Sequence, residues 1–423
     1  MHKVCWSRSV PVRYEADIAV IGGGIAGVSA ACAAAKSGAK VLLVERFAVM
    51  GGNATTGGVA AFCGETAGQG EVFDAIIADL EKWNAIAAYK PNSHQHARIF
   101  DHHILAIVLQ ELLLHRGVKL LLHTRFVDIS QQAGRISECI VCGKSGPEAL
   151  RAKVFIDCTG EAEVVHAAGV ETMKGSPEHG YQLPMSMMGF VREVDKPEIQ
   201  MPEGWFETIR DEDDLPMVSI WPNGPGGKAL KIKIPMFDST DTENMTAAEI
   251  RARRRMMEVL DYYQRVENKG WRFDGCSPQI GIREGRRIVG EYILTVDDCS
   301  AGRKFDDAIA RGVFYLDAHK PDDDKRTYIL SEKERQVPPY QIPFRTLIPK
   351  GSKNLLAAGR CFSADQLALS SARVMTTGSM LGQAAGIAAA TCVEQKCDPR
   401  DLDFSAVRRT VEKRGAELEY RRY

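Results

Sequence analysis

Asp17-Ile18-Ala19-Val20-Ile21-Gly22-Gly23-Gly24-Ile25-Ala26-Gly27, running on through Ser37-Gly38-Ala39-Lys40-Val41-Leu42-Leu43-Val44-Glu45, decides the fold. An apolar strand enters a glycine-rich turn, an alanine-rich helix follows, and a second apolar strand ends on an acid. This order is a βαβ dinucleotide-binding unit. Gly22 permits the tight turn, Gly24 lets a pyrophosphate approach the backbone, and Gly27 lets the helix pack close to the strand. Ile25 and Ala26 open the helix, whose unpaired N–H groups and dipole favour phosphate. Glu45, about 20 residues on, is placed to accept hydrogen bonds from both ribose hydroxyls, so a 2′-phosphate would be repelled. Glycines alone recur in ordinary turns; here strand, helix and acid complete the pattern.

The loop after Glu45 supports the same reading. Arg46 to Gly58, with Gly51-Gly52-Asn53-Ala54-Thr55 at its centre, is too rich in glycine and small polar residues to be a packed element. Such a loop presents several backbone N–H groups to a ligand. Further on, Phe155-Ile156-Asp157-Cys158-Thr159-Gly160 is a strand entering a turn, the way a large nucleotide-binding domain returns to its cofactor. Asn354 to Arg360 is another buried strand ending in a turn at Gly359. Ser370 to Ser379 then leads into an alanine-rich helix read as Met380 to Val393, with Gly382 and Gly386 placed for close packing on a sheet. Its N-terminus, at Gly378 and Ser379, suits an electron-rich ligand edge.

Composition narrows the class. The chain has 423 residues, 45% hydrophobic and 26% charged, which suggests two or three soluble domains. A net charge of −1 gives no pull towards nucleic acid or anionic membrane. Met1 to Tyr14 lacks an apolar signal core, and no apolar run reaches the roughly 18 to 20 residues of a membrane span. The 11 cysteines are scattered and odd in number, suiting free thiols in a reducing cytosol, so a cytoplasmic location is expected. Cys139 and Cys142 form a CxxC on an apparent strand without a second pair, and no metal site is expected. His94, His96, His102 and His103 have no carboxylate or cysteine at ligand spacing and read as solvated or capping residues. Cys63 is either a thiol beside the cofactor or a small buried hydrophobe.

Elements follow from periodicity. Glu71 to Trp83 and Asp101 to His115 read as helices, Gly117 to His123 with Phe126 to Ser130 as one strand, and Arg135 to Val154 as a hairpin. From Gly175 to Val337 the glycine-rich turns thin out and charged segments lengthen. Leu230 to Ile234 alternates as a half-buried strand, and Thr246-Ala247-Ala248-Glu249 reads as a capping box opening a helix that ends near Lys269-Gly270. The acidic run Asp211 to Asp214 is a solvated loop. The expected organisation is a dinucleotide-binding domain over 1–175, an inserted substrate or cap domain over 176–337 and a return segment over 338–423.

Taken together, Gly22-x-Gly24-x-x-Gly27 with Glu45, Gly51 to Thr55, Asp157 to Gly160, Arg283-Glu284-Gly285-Arg286-Arg287-Ile288, Gly359-Arg360 and Arg373-Val374-Met375 with Gly382 to Gly386 resemble the FAD-dependent oxidoreductase family of the glutathione-reductase type. The resemblance runs from about Asp17 to Ala390. It implies FAD as the nucleotide, where the βαβ unit alone equally allows NAD. It implies an α/β fold, a Rossmann-like FAD-binding domain with an inserted α+β substrate domain. More distantly, Ala372-Arg373-Val374 resembles the arginine segment of the fumarate reductase and succinate dehydrogenase flavoproteins. That implies Arg373 near the substrate, with backbone at Gly378 and Ser379 near the flavin ring. Gly285 stands where serine is usual in the family's arginine segment, and the His-Gly that precedes the fumarate reductase arginine is absent.

The residues expected to hold FAD are Gly22, Gly24, Ile25, Ala26, Gly27, Glu45, Arg46, Gly52, Asn53, Ala54, Thr55, Val127, Cys158, Thr159, Gly160, Gly359, Arg360, Gly378 and Ser379. Arg283, Arg287 and Arg373 are candidates for meeting anionic charge. His319, with Asp317 beside it, is the candidate proton acceptor, its plainer reading being an exposed loop residue. The expected activity is hydride transfer between a small organic substrate and flavin N5, with an electron acceptor that the sequence does not name. The rival readings are a non-redox flavoprotein of isomerase or hydratase type and an electron-transfer subunit working with a partner protein. A homo-oligomer is left open.

Overall fold

The structure is a computed structural model, and it describes residues 4, 7–90, 97–195, 201, 202, 204–224 and 226–420. His94 and His96 lie outside the described residues. The quoted stretch forms β1 (Val12–Ile21), α1 (Ile25–Lys36) and β2 (Val41–Val44), with β1 and β2 parallel from Ile18 opposite Val41 to Ile21 opposite Val44. β3 (Ala61–Cys63), α2 (Glu71–Lys82), β4 (Ala97–Ile99) and α3 (His102–His115) follow. β5 (Lys119–Leu121) then adds to β2 in parallel. β6 (Arg125–Gln132), β7 (Arg135–Gly143) and β8 (Gly146–Asp157) are an antiparallel meander whose last strand lies parallel beside β1.

Gly117–Ser130, read as one strand, is therefore two. β5 and β6 stand at opposite ends of the strand order β5-β2-β1-β8-β7-β6. The chain turns between them at His123, whose φ of +50° breaks an extended run.

The insert begins after α4 (Glu163–Ala167) and β9 (Thr172–Met173). β10 (Met185–Glu193), β11 (Val218–Pro222), β12 (Gly227–Ile234) and β13 (Trp271–Cys276) form an antiparallel sheet ordered β11-β12-β10-β13. The long helix α5 (Thr242–Arg265) packs on it through Ala248, Ala252, Met256 and Val259, against Met185, Leu230, Ile232 and Ile234. The capping box read at Thr246 lies inside this helix. Asp241 is the N-cap, accepting from the Asn244 amide at 2.8 Å, while the Thr246 hydroxyl donates to the Thr242 carbonyl. Aspartate caps at least as well as threonine, so the helix starts a turn earlier; it ends at Arg265, short of Lys269-Gly270.

β14 (Arg287–Ile288), α6 (Val296–Ser300), β15 (Ala308–Gly312), α7 (Glu332–Arg335) and β16 (Tyr340–Pro343) come next. Ile288, Leu294, Ala308 to Ala310 and Leu316 are buried with the dinucleotide half, and the insert's own core spans Met185 to Ile282. The stretch from Ile288 to Val337, read as the rest of the insert, is thus divided: Ile288 to Leu316 packs with the dinucleotide half, while Asp323 to Arg326 bonds to the insert at Lys233, Met217 and Val218. β17 (Leu355–Ala357) pairs in parallel with the last three residues of β8, whose first half pairs with β7. β8 therefore joins a parallel dinucleotide sheet to an antiparallel meander.

α8 (Gln366–Ala372), α9 (Met375–Gln395) and α10 (Phe404–Lys413) close the chain. α9 packs against α1 as well as against the sheet, and its glycines face α1. A Cβ on Gly382 would collide with the Ala26 carbonyl, and one on Gly386 with the Ala30 carbonyl. Two helices of alanine and glycine approach backbone to backbone, which explains why both are buried almost all round. No helix among the described residues is long and apolar enough to cross a membrane.

Candidate functional site

One cavity, about 1600 Å³ with its open mouth counted, runs between the dinucleotide half and the insert. Glu45, Arg46, Phe47 and Thr124 to Phe126 line one part of it. Gly22, Gly24, Ile25, Ala26, Gly51 to Ala54, Cys158 to Gly160, Gly359 and Arg360 line the middle. Cys63, Lys231, Arg283, Asp317, Arg373 to Met375 and Gly378 line the rest.

The middle is a cradle of backbone. Gly22 has φ +104°, and a Cβ there would strike the carbonyl of Cys158. A Cβ on Gly27 would strike the Gly22 carbonyl, so Gly27 sets the helix against the strand without reaching the cavity. Gly24 and Gly378 have no protein atom within 4 Å of the place a Cβ would take. Both line the cavity, so a side chain at either would fill space a ligand needs.

Glu45 is held by two amides: its Oε2 accepts from Gly23 N at 2.7 Å and its Oε1 from Phe47 N at 2.9 Å. Its orientation is thereby fixed, and each oxygen keeps a lone pair for a ribose hydroxyl. The loop beyond it is tied down, with the Gly51 amide on the Gly23 carbonyl at 2.8 Å and the Asn53 amide side chain on the Ile282 carbonyl at 2.9 Å. The Thr55 hydroxyl donates to Met50 O at 2.7 Å, so Thr55 locks this loop and does not line the cavity. Asp157 shapes the Thr159 turn by accepting from the Thr159 amide and hydroxyl and from the Val164 and Val165 amides. Arg360 pairs with Glu161 at 2.9 Å. A Cβ on Gly285 would collide with that Glu161 carboxylate, which accounts for glycine where serine is usual.

Besides Gly27 and Thr55, two further expected cofactor residues lie off the cavity. Val127 is exposed on β6 and lines a neighbouring cavity with Arg46, Phe47 and Arg125. Ser379 lies within α9, its hydroxyl 2.7 Å from that of Ser29. The helix starts at Met375 after the N-cap Val374, a turn before the expected start, so the Gly378 amide is already bonded to the Val374 carbonyl at 2.9 Å. The free N–H groups belong to the first turn at Met375 to Thr377.

At the other end, charged side chains from distant parts of the chain converge. Arg373, the C-cap of α8, pairs with Asp317 at 2.7 Å, and His319 Nε2 lies 3.2 Å from the other Asp317 oxygen. Burial pushes the Asp317 carboxyl up, but the His319 hydrogen bond and the Arg373 and Arg283 charges outweigh it and hold it well below the usual carboxylate range. His319 is buried, not an exposed loop residue; it stacks on Tyr328 at 4.4 Å between ring centres and stands behind Asp317, off the cavity wall. Burial lowers its pKa to about 4 against the opposing Asp317 bond, so its ring is neutral at neutral pH. Its Nδ1 and the Nε of Arg373 have no hydrogen-bond partner among the described residues.

Arg283 is buried and donates to the Pro184 carbonyl at 2.6 Å. Burial first, and the Arg373 charge next, lower its pKa to about 10. Arg287 is away from the cavity. It pairs with Glu284 at 2.7 Å and donates to the Gly175 carbonyl at 2.9 Å, while Glu284 also accepts from the Gly175 and Leu183 amides and from Gln366. The pattern of three arginines in 283–287 thus splits: Arg283 lines this cavity, Arg286 lines the neighbouring one and Arg287 is held in a structural ion pair.

The alternation of Leu230 to Ile234 as a half-buried strand puts Lys231 and Lys233 on the polar face. Leu230, Ile232 and Ile234 do pack on α5's side, but Lys233 is fully buried against Asp323 and Lys231 lines the cavity. Burial, then the Arg283 charge, lowers the Lys231 pKa to about 8. Cys63 stands nearby, and burial pushes its thiol up, which keeps it protonated. Cys139 is buried and Cys142 half-buried on β7, both unpaired. His102 stacks on Phe190 at 5.0 Å with His103 4.0 Å away, and Asp101, not a histidine, caps α3.

The model that describes FAD dependent oxidoreductases matches residues 17–411. No curated protein matches the chain. Among solved structures, the chain is similar to the anhydrotetracycline hydroxylase OxyS from Streptomyces rimosus, with a TM-score of 0.50 and 14% identity over 94% of this chain and 65% of that one. It is also similar to p-nitrophenol 4-monooxygenase PnpA from Pseudomonas putida DLL-E4, with a TM-score of 0.52 and 12% identity over 96% and 88% of the two chains. At these identities the likeness is one of fold, and the chain spans less than two thirds of the length of OxyS.

Proposed function

The chain belongs to the FAD dependent oxidoreductase family and is an FAD-dependent enzyme, and from that premise we propose that it exchanges a hydride between a small organic substrate and flavin N5. FAD, when bound, supplies the two-electron redox chemistry. The observation that carries this reading is the continuity of the cavity, which joins a backbone cradle suited to a dinucleotide to a cluster of ionisable side chains.

The residues present fit FAD. Glu45 is oriented for ribose hydroxyls, the side-chain-free openings at Gly24 and Gly378 leave room along the cavity, and the first-turn amides of α9 supply donors for an electron-rich ring edge. Arg46, Gly52 to Ala54, Cys158 to Gly160 and Arg360 would line the pyrophosphate and adenosine part. The long loop tied to Ile282 and the insert covering the cavity would keep bulk water from the reacting atoms.

At the substrate end Arg283 and Arg373 would meet negative charge on the substrate. Asp317 holds Arg373 in place, and His319 acts through Asp317 as a positioning residue, since it does not reach the cavity itself. Arg287 would act only through the fold. The test is to purify the chain, record its visible spectrum and add alcohols, amines, sugars and acids without oxygen. Bleaching of the flavin by one class supports hydride transfer. A colourless chain that binds NAD and refuses FAD, or turnover with the flavin colour unchanged, removes it. Repeating the active reaction in air and weighing the product separates dehydrogenation from addition of an oxygen atom.

A further inference from the structure

We propose that Lys231 and Arg283 form a two-cation anchor for a carboxylate on the substrate, so that the substrate class is an organic monocarboxylate. This rests on the flavoenzyme reading above. Among the described residues, three cations, Lys231, Arg283 and Arg373, face this end of the cavity with one carboxylate, Asp317. That carboxylate is already engaged by Arg373 and His319. Arg283 has its hydrogen bond on the uncharged Pro184 carbonyl, and Lys231 has no hydrogen bond or ion pair among the described residues. Burying a charge without a partner is strongly unfavourable. Arg283 is buried and Lys231 half-buried, and neither makes an ion pair among the described residues, so a single anion bridging ammonium and guanidinium would neutralise the excess in this wall.

The neighbours of Lys231 single it out as the adjustable half. In register it sits between Met188 on β10 and Ser219 on β11, neither of which carries charge. From the other elements packed on it come Cys63, Arg283, Asp317 and Arg373. Cys63 stays protonated, Asp317 stays ionised and Arg283 stays charged through neutral pH. Lys231 is thus the group whose charge is lost first as the pH rises. Its fellow on the same strand, Lys233, is neutralised by Asp323, so the missing partner is particular to position 231.

The experiment titrates the FAD-loaded protein with benzoate and acetate, and with benzamide as the uncharged comparison, following the flavin spectrum and equilibrium dialysis. The wild type binds a carboxylate and not the amide, and binding weakens about tenfold or more between about pH 7 and about pH 9. In Lys231→Gln and Arg283→Gln, carboxylate binding falls by about tenfold or more, and Lys231→Gln loses the pH dependence. Lys231→Met, which removes an uncompensated charge, melts at or above the wild-type temperature. Unchanged carboxylate binding in both glutamine variants, or no carboxylate bound by flavin-loaded wild type, overturns the anchor. So does a large fall in the melting temperature of Lys231→Met. If sulfite addition to the flavin is lost in Lys231→Gln while benzoate binding is kept, the cation serves the flavin edge and the anchor is again overturned. A preparation that takes up no FAD counts against the flavoenzyme reading instead.

Discussion

The two ends of the cavity are built on opposite principles. Around Gly22, Gly24 and Gly51 the protein offers backbone and withholds side chains, and the acid there, Glu45, is fixed by two amides while Glu163 pairs with Arg46. Around Lys231, Arg283, Asp317 and Arg373 it offers charged side chains, two of which make no ion pair among the described residues. A cradle of amides suits any dinucleotide, whereas unbalanced charge selects a ligand. Cofactor recognition and substrate choice are thereby separated, and substitutions can break one without the other.

The largest expected effect tests whether the arginine segment itself divides in this way. Glu284→Gln breaks a buried ion pair and strands Arg287, and should cost about 3–5 kcal/mol in urea unfolding while leaving the Michaelis constant of the folded fraction unchanged. A changed Michaelis constant would return Arg287 to the site. Next, Gly22→Ala forces a side chain into a left-handed turn and against the Cys158 carbonyl. It should cost about 3 kcal/mol and abolish FAD retention, read by unfolding and flavin content together.

A pH titration sharpens the other end. His319 is buried with a pKa near 4, below the value of about 6.5 it regains on unfolding. The unfolded chain therefore binds the extra proton between those values, and stability falls as the pH drops through that window, by about 3 kcal/mol at most. Asp317, held below the usual range, contributes above the unfolded carboxylate value and loses its share only in stronger acid. In His319→Gln the loss between about pH 6.5 and about pH 4 should flatten; an unchanged profile would mean that other groups cause it. The smallest effect is the most discriminating. Gly24→Ala meets no protein atom and has an ordinary φ of −64°, so apo stability should move by less than about 1 kcal/mol while FAD affinity falls. Full FAD affinity in this variant would break the cradle reading.

How much was legible in the sequence follows the same division. The cradle could be read because its function is the absence of a side chain, and glycine at fixed spacing is a local signal. The FAD-dependent family and the α/β fold with an inserted layer were legible for the same reason. The substrate end was not, because residues 63, 231, 283, 317 and 373 come together only through folding. Lys231 hid behind an alternation whose polar face reads as solvent, and only the cover by the other half makes that face interior. His319 looked like a loop residue because nothing in Tyr315 to Lys320 announces burial behind Asp317. The Asp241 cap and the α9 start at Met375 were missed by a turn, since Thr246-x-x-Glu249 and Gly378-Ser379 offered rival local signals inside helices that had already begun.

The separation of the two ends is tested most directly by anaerobic bleaching in Arg373→Gln and Lys231→Gln beside the wild type, with bound FAD counted in each sample. Equal flavin content with bleaching slowed or lost in both variants is the expected result. Variants that lose flavin in proportion to bleaching, or that bleach at the wild-type rate, would contradict it.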